Sequence, residues 1–227
     1  INTPSSSSQS VAELVMGHLF SLSRFLHDSF KNMESGDFST LKKNYAKGVE
    51  LRGKTLGIIG FGRIGQATAK VALGAGMKVV AFDPFLESAN LELDFFDGQT
   101  VNFDIKTISK EDVLKQSDFI TLHVPAQDGY VIGAAEFLQM KDGVGIVNCA
   151  RGGVIDEVAL IEALDSEKVL FAGLDVFENE PNPEIKILMH PKISLTPHIG
   201  AATLEAQDRI GTELAEQVIS LLKSEKV

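Results

Sequence analysis

Three charged residues in the second half of the chain have the side-chain types that an alcohol-oxidising site needs. Arg151, Glu180 and His198 each follow a short apolar run that is typical of a buried strand. An imidazole can take the proton of a hydroxyl group, a carboxylate can hold that imidazole, and a guanidinium can bind an anionic substrate. The three residues are therefore candidates for acid–base chemistry, with surface ion pairs and a structural histidine as the alternatives.

These side chains can meet only if the strands before them end at one edge of a sheet. From Lys54 onward, short apolar runs alternate with helical patterns, which favours an α/β fold with a doubly wound parallel sheet. Such sheets bind ligands at the carboxyl ends of their strands. The predicted strands are Thr55–Ile59, Lys78–Phe82, Phe119–His123, Gly145–Asn148, Leu170–Leu174 and Ile193–Leu195, and the predicted helices between them are Ile64–Ala75, Lys110–Gln116, Ala134–Met140 and Glu157–Leu164.

Longer helical patterns border the predicted sheet. The run Ser10-Val11-Ala12-Glu13 resembles a capping box, so we expect a leading helix over about residues 10–31. Residues 30–52 have no clear period and are expected to be irregular, with room for a short helix. Asp156 is expected to cap the helix that follows it, and Thr203 a closing helix over about residues 203–225.

A glycine-rich turn lies between the first predicted strand and the first predicted helix after it. Gly60, Gly62 and Gly65 form the pattern G-x-G-x-x-G. Gly60 permits a tight turn, Gly62 lets a pyrophosphate approach the backbone, and Gly65 lets the helix pack against the strand. The amides of Gly62, Arg63 and Ile64 are expected to face the anion at the helix N-terminus.

Asp83 identifies which dinucleotide this turn is expected to bind. It ends the second predicted strand, 18 residues after Gly65. A carboxylate there accepts hydrogen bonds from ribose hydroxyls and repels a 2′-phosphate, and no Lys or Arg follows it in Asp83-Pro84-Phe85. The sequence therefore predicts NAD as the cofactor, and the alternative is a glycine turn that serves packing alone.

Composition and charge exclude several other classes of protein. A net charge of -10 disfavours nucleic acid and anionic membranes as partners, and no apolar run reaches the roughly 18 residues of a membrane span. The single cysteine, Cys149, excludes an internal disulfide framework and, with a first segment unlike a signal peptide, favours a cytoplasmic protein. No spacing indicates a metal site, and Asp94, Asp97 and Asp104 are expected to form a solvated edge.

Six motifs in a fixed order resemble the D-isomer-specific 2-hydroxyacid dehydrogenases over nearly the whole chain. They are GFGRIG, AFD, LHVP, NCARGGVIDEVAL, LDVFENEP and TPHIGAAT. The resemblance implies that Arg151 binds the substrate carboxylate, that His198 exchanges the proton of the C2 hydroxyl, and that Glu180 orients His198. It also implies that Asp175 faces the nicotinamide carboxamide.

The same resemblance adds residues to the predicted cofactor site. It implies that His123, Val124 and Pro125 line the adenine side and that Gly200 leaves room for the nicotinamide. Cys149 and Ala150, which precede Arg151, complete the set. We expect Cys149 to act as a small residue at a strand end, with a nucleophile as the less favoured alternative.

The motifs also indicate a branch of the family. NCARGGVIDEVAL and HIGAATLEAQ are most similar to 3-phosphoglycerate dehydrogenases, which form 3-phosphohydroxypyruvate for serine biosynthesis. A glyoxylate, hydroxypyruvate or D-lactate type reductase is the alternative among enzymes. An NAD(H)-sensing interaction module, such as a corepressor, is the alternative from another class, and a formate dehydrogenase relative is disfavoured by Glu180.

The resemblance also bears on domain organisation. Residues 1–227 are expected to be essentially one dinucleotide-binding domain that lacks the N-terminal part of a substrate domain, and so to bind NAD but to turn over poorly alone. A homodimer is expected, with contacts from the phenylalanine-bearing leading helix and from residues 30–52.

Overall fold

A parallel six-stranded sheet forms the centre of the computed structural model, which describes residues 3, 6–34 and 36–224. The predicted end of the closing helix, at residue 225, lies outside these residues. The strand order is β2-β1-β5-β6-β7-β8, and every neighbouring pair is parallel. These strands are β1 (Thr55–Ile59), β2 (Lys78–Phe82), β5 (Phe119–Leu122), β6 (Val144–Asn148), β7 (Val169–Leu174) and β8 (Ile193–Leu195), so the predicted α/β fold and all six strands are confirmed.

Helices cover both faces of this sheet, which is why the central strands are continuous apolar runs. Every residue of β5 and β6 is buried. One core lies between the sheet and α5, α6 and α7, and the other between the sheet and α1 and α4. The helices are α1 (Ser8–Ser23), α2 (Leu26–Asn32), α3 (Phe38–Asn44), α4 (Arg63–Gly74), α5 (Lys110–Gln116), α6 (Ala134–Gln139), α7 (Glu157–Asp165), α8 (Ile185–Leu188) and α9 (Leu204–Ser224).

The leading helix differs from its prediction at both ends. It begins at Ser8 and ends at Ser23, and Phe25, at φ 56°, breaks it from α2. The prediction of a single helix to residue 31 was therefore wrong. The apolar residues keep their helical spacing across the break, so the sequence pattern does not reveal it. The predicted capping box was also wrong, since Ser10 lies inside α1 and its hydroxyl donates to the carbonyl of Gly200 over 2.7 Å.

A β-hairpin that the sequence analysis did not predict follows β2. Its strands are β3 (Ser88–Asp94) and β4 (Thr100–Lys106), which pair antiparallel with Leu91 opposite Phe103. The hairpin packs on α4 and on the edge of the sheet at β2. Asp94, Asp97 and Asp104 all lie exposed on it.

Capping residues fix where several helices begin. Asp156 Oδ1 accepts from the amides of Val158 and Ala159 at 3.0 Å, which confirms the predicted cap of α7. Thr203 Oγ1 accepts from the Ala206 amide at 3.2 Å at the start of α9. Asp37 caps α3, the short helix within residues 30–52.

No helix among the described residues is long and apolar enough to cross a membrane.

Candidate active site

The predicted site residues gather at one edge of the sheet, because each follows the carboxyl end of a parallel strand. The glycine turn follows β1, and single residues or short runs follow the other five strands. They are Gly60, Gly62, Arg63, Ile64 and Gly65 after β1, Asp83 after β2, His123, Val124 and Pro125 after β5, Cys149, Ala150 and Arg151 after β6, Asp175 and Glu180 after β7, and His198 and Gly200 after β8.

The three glycines of the turn meet different surroundings. A Cβ atom at Gly60, where φ is +92°, would lie 2.5 Å from the His123 carbonyl oxygen, and one at Gly65 would lie 2.2 Å from the Gly60 carbonyl oxygen. Both positions therefore require glycine for the fold itself. A Cβ at Gly62 would meet no atom within 4 Å, so the protein leaves open space there. That space at the N-terminus of α4 is suited to a pyrophosphate, whose approach a side chain would block.

Asp83 is held beside this turn by backbone amides. Its Oδ2 accepts from the Phe61 amide at 2.8 Å, and its Oδ1 accepts from the Phe85 amide at 2.9 Å. The carboxylate therefore lies against the middle of the G-x-G turn in a fixed orientation. This position at the end of β2 is the one at which a ribose-binding acid stands in dinucleotide-binding domains.

His198 and Glu180 form a direct hydrogen bond across two strand ends. The distance between His198 Nδ1 and Glu180 Oε2 is 2.8 Å, and the two side chains are 53% and 35% exposed. Because an ionised carboxylate can only accept, Nδ1 carries the proton and, in the neutral ring, Nε2 is the acceptor nitrogen. The other oxygen of Glu180 accepts from the Phe177 amide at 2.9 Å, which fixes the carboxylate relative to its own loop.

Electrostatics keep Glu180 ionised. Partial burial opposes ionisation, but the hydrogen bonds from His198 and the Phe177 amide, with the positive charges of His198 and Arg151, hold the pKa of Glu180 below its usual range. Arg151 is exposed, and its Nη1 donates to the Ala150 carbonyl. The Arg151 guanidinium is thus close enough to act electrostatically on the carboxylate that holds the His198 imidazole.

Two further contacts fix the loop that carries Arg151. Asn148, the last residue of β6, donates from Nδ2 to the Arg151 carbonyl and accepts at Oδ1 from the Ala150 amide, both at 3.0 Å. A Cβ atom at Gly152 would lie 1.8 Å from the Phe177 carbonyl oxygen, so this loop packs directly on the loop of Glu180. The sequence analysis missed Asn148, although an amide side chain at the buried end of a strand is a signal that could have found it.

Asp175 organises the segment that carries His198. Its Oδ1 accepts from Thr196 Oγ1 at 2.6 Å and from the Ile199 amide at 2.8 Å, and its Oδ2 accepts from the Gly200 amide at 2.9 Å. His198 adopts φ 55° within this segment, a left-handed conformation that few non-glycine residues take. The sequence analysis missed this role of Asp175, and the contact with the nicotinamide carboxamide stays a prediction.

Two other predicted cofactor residues are uncharged: His123 is partly buried and Cys149 is buried. Burial lowers the pKa of His123 to about 3, its Nε2 lies 3.2 Å from Thr121 Oγ1, and its Nδ1 is buried with no hydrogen-bond partner. Burial, with the nearby Asp175 carboxylate, raises the pKa of the Cys149 thiol above its ordinary range. A buried neutral thiol is a poor nucleophile, which favours the packing role over the alternative.

A pair of glutamates, Glu157 at the start of α7 and Glu178 in the Glu180 loop, was not predicted. Glu157 Oε1 accepts from the Glu178 amide and Glu178 Oε1 accepts from the Glu157 amide, both at 2.9 Å. Glu157 is buried, and its Oε2 has no hydrogen-bond partner. Burial and the charges of Glu178 and Glu184 raise the pKa of Glu157 above its usual range, although the Glu178 amide opposes this. Among the described residues, no group of three or more His, Cys, Asp or Glu could hold a metal ion.

The doubly wound sheet, its glycine turn and the acid that ends β2 together define a domain that binds a dinucleotide. Comparison with known proteins defines the class further. The family model described as D-isomer specific 2-hydroxyacid dehydrogenase, NAD binding domain, matches residues 16–200. The chain belongs to this family, and its cofactor is NAD.

Individual relatives agree with this assignment. The chain is 45% identical to a hydroxypyruvate reductase of Thermotoga maritima, over 98% of this chain and 69% of that protein. It is 41% identical to a D-3-phosphoglycerate dehydrogenase of Methanocaldococcus jannaschii, over 99% of this chain but only 41% of that protein. A crystal structure of a putative D-isomer specific 2-hydroxyacid dehydrogenase from Polaromonas sp. JS6 66 superposes with a TM-score of 0.84 at 30% identity, over 99% of this chain and 68% of that one.

Proposed function

We propose that the protein to which this chain belongs oxidises a D-2-hydroxy acid with NAD, and that the pair His198–Glu180 performs the proton transfer. The observation that carries the proposal is the 2.8 Å hydrogen bond between these residues, with Arg151 on the neighbouring strand end. Arg151 would bind the substrate carboxylate and so hold C2 and its hydroxyl near His198. Nε2 of His198 would take the hydroxyl proton while hydride leaves C2.

The charge arrangement supports this direction of proton flow. When bound, NAD supplies the hydride acceptor for C2. The proton that His198 receives makes its ring cationic, and the ionised Glu180 stabilises that cation in place. In the reverse direction, His198 would return the proton to the carbonyl oxygen of the 2-oxo acid, and Arg151 would hold the same carboxylate.

For the substrate, we propose 3-phosphoglycerate, whose oxidation to 3-phosphohydroxypyruvate begins serine biosynthesis. The motifs around Arg151 and His198 and the D-3-phosphoglycerate dehydrogenase of Methanocaldococcus jannaschii support this choice. Hydroxypyruvate is the second candidate, because the hydroxypyruvate reductase of Thermotoga maritima is 45% identical. We further propose that residues 1–227 act as one dinucleotide-binding domain, because the family model that matches residues 16–200 describes an NAD binding domain. Both relatives are longer than the part that matches.

Steady-state kinetics on the complete protein test this function. The rate of NADH formation is measured with D-3-phosphoglycerate, and the rate of NADH consumption with hydroxypyruvate and with glyoxylate. A kcat/KM for D-3-phosphoglycerate at least tenfold above those of other D-2-hydroxy acids would support the proposed substrate. A preference for hydroxypyruvate would select the second candidate, and no turnover of any 2-hydroxy or 2-oxo acid would contradict the proposed activity.

We also propose that the protein forms a homodimer in the cytoplasm. Several large apolar side chains stand exposed on α2, on α3 and between them, among them Phe30 at 82% and Phe38 at 68%. Exposed apolar patches of this kind mark protein–protein contacts. Sedimentation velocity on the wild type and on Phe30→Ser tests this proposal, because the variant should shift toward the monomer; a wild type that sediments as a monomer at micromolar concentration would contradict it.

A further inference from the structure

We infer that His18, a buried histidine in the leading helix, is a positioning residue for His198. This inference rests on the proposed function, because it assigns His18 a part in holding the acid–base group. His18 is 3% exposed, and its ring makes hydrogen bonds to Ser194 and Thr196 and not to Arg151, Glu180 or His198. Its influence would pass through Thr196 and Asp175.

The first step is the contact between α1 and the end of β8. His18 Nδ1 lies 3.0 Å from Ser194 Oγ, and His18 Nε2 lies 3.1 Å from Thr196 Oγ1. The imidazole thus bridges Ser194 in β8 and Thr196, the first residue after that strand, on the way to His198. A Cβ atom at Gly173 would lie 2.8 Å from the His18 Cβ, so β7 accommodates the ring only because that position is glycine.

The hydrogen bond between Thr196 and Asp175 determines which nitrogen of His18 carries the proton. Thr196 Oγ1 donates its hydrogen to Asp175 Oδ1 at 2.6 Å, because the carboxylate can only accept. Thr196 must then accept from His18, which places the proton on Nε2. Burial lowers the pKa of His18 despite the opposing charge of Asp175, so the ring is neutral and Nδ1 accepts from Ser194.

The third step connects this chain of hydrogen bonds to His198. Asp175 also accepts the Ile199 and Gly200 amides, the two that follow His198. His18 therefore orients Thr196, Thr196 orients Asp175, and Asp175 holds the left-handed turn at His198. Ser10, on the same helix, adds a direct bond to the Gly200 carbonyl, so α1 holds the segment at two points.

The experiment compares three variants of the complete protein. His18→Leu removes both hydrogen bonds with little change in volume, and it should lower kcat by roughly 10–100-fold while NAD affinity changes less than twofold. His18→Gln retains an amide that can donate to Thr196 and should recover most of the loss. Ser23→Ala is the matched control, because Ser23 is buried in the same helix and its hydroxyl donates to the Phe20 carbonyl of that helix, and the variant should leave kcat unchanged.

Two measurements distinguish this inference from the proposed function. Amide hydrogen exchange at Ile199 and Gly200 should become at least about tenfold faster in His18→Leu and not in Ser23→Ala. The ¹⁵N shifts of the His18 ring in the wild type should identify a neutral ring protonated at Nε2, which needs no variant to fold. A ring protonated at Nδ1, or a His18→Leu protein with wild-type kcat and wild-type exchange, would overturn the inference. Absence of turnover in the wild type would contradict the proposed function, while exchange and ring shifts would still test the link to the His198 segment.

Discussion

Nδ1 of His198 lies 2.8 Å from Oε2 of Glu180, although the two residues follow different strands and are 18 positions apart. The left-handed turn at His198 and the bond from the Phe177 amide to Glu180 bring the two side chains together. The direction of this hydrogen bond is fixed, because the Glu180 carboxylate can only accept. His198 therefore donates from Nδ1, and its Nε2 faces away from Glu180.

Glu180→Gln should lower kcat of the complete protein by roughly 10²-fold, because an amide cannot stabilise the imidazolium as a carboxylate does. The amide is nearly the same size, so NAD binding by calorimetry should stay within twofold of the wild type. Glu184→Gln is a suitable control, since Glu184 lies in the same loop but does not contact His198. A Glu180→Gln protein with wild-type kcat would remove Glu180 from the proposed pair.

Gly62 and Gly65 are predicted to respond in opposite ways to the same added methyl group. Gly62→Ala should leave Tm unchanged and weaken NAD binding by about tenfold, because its Cβ enters space that only the cofactor needs. Gly65→Ala should destabilise the fold by roughly 1–3 kcal/mol, since its Cβ would meet the Gly60 carbonyl at 2.2 Å. Calorimetric titration and thermal unfolding separate the two effects. Equal NAD affinity in Gly62→Ala and the wild type would be incompatible with a pyrophosphate at this turn.

Glu157→Gln should stabilise the protein near neutral pH by about 1 kcal/mol, because it removes a buried charge close to those of Glu178 and Glu184 and keeps an oxygen that accepts from the Glu178 amide. The folded-state pKa of Glu157 is raised above its unfolded value, so the wild type loses stability as pH rises from the unfolded pKa to the folded one. The stability gain of the variant should therefore increase as pH rises from 4 to 7.

Urea unfolding of both proteins at several pH values measures this difference. Glu162→Gln on the same helix is the control, because the Glu162 side chain is exposed to solvent. A stability difference that is constant between pH 4 and pH 7, or one that favours the wild type at pH 7, would show that the folded protein does not raise the pKa of Glu157.

Cys149 should resist alkylation in the folded protein. Its thiol is buried, and burial keeps it protonated at pH 8, so iodoacetamide has no thiolate to attack. Mass spectrometry should find the cysteine unmodified in native protein and fully modified in urea. Native labelling as fast as in urea would revive the alternative of a reactive cysteine.

The sheet could be predicted because the residues that identify each strand lie within that strand and at its ends. Strands such as β5 and β6 are unbroken apolar runs, and each ends at a glycine, proline or polar residue that marks the turn. The glycine turn was predictable because its three glycines have a local spacing, and the Gly65 contact with the Gly60 carbonyl lies within the turn itself.

Features that depend on distant contacts were not predictable in this way. The apolar period of the leading helix continues past Phe25, and only tertiary packing shows that the backbone turns left-handed there. Ser10 resembles a cap in sequence, but its partner is Gly200, 190 residues away. The roles of Asp175 and His18 likewise rest on partners between Ser194 and Gly200 that sequence spacing does not connect to them.

The β3–β4 hairpin is different, because the sequence contains a hairpin signal from which it could have been predicted. Leu91 and Leu93 alternate with polar residues, as do Val101, Phe103 and Ile105, and Asp97-Gly98 lies between the two runs. An Asp-Gly pair flanked by alternating apolar residues is a strong hairpin signal.

The most direct test of the account is a single variant, His198→Ala, measured in the complete protein for both binding and turnover. The account predicts that NAD binds with a Kd within about twofold of the wild type, while kcat falls by roughly 10²–10⁴-fold because the proton acceptor is gone. Near-normal kcat with intact NAD binding would contradict the assignment of His198 as the acid–base residue.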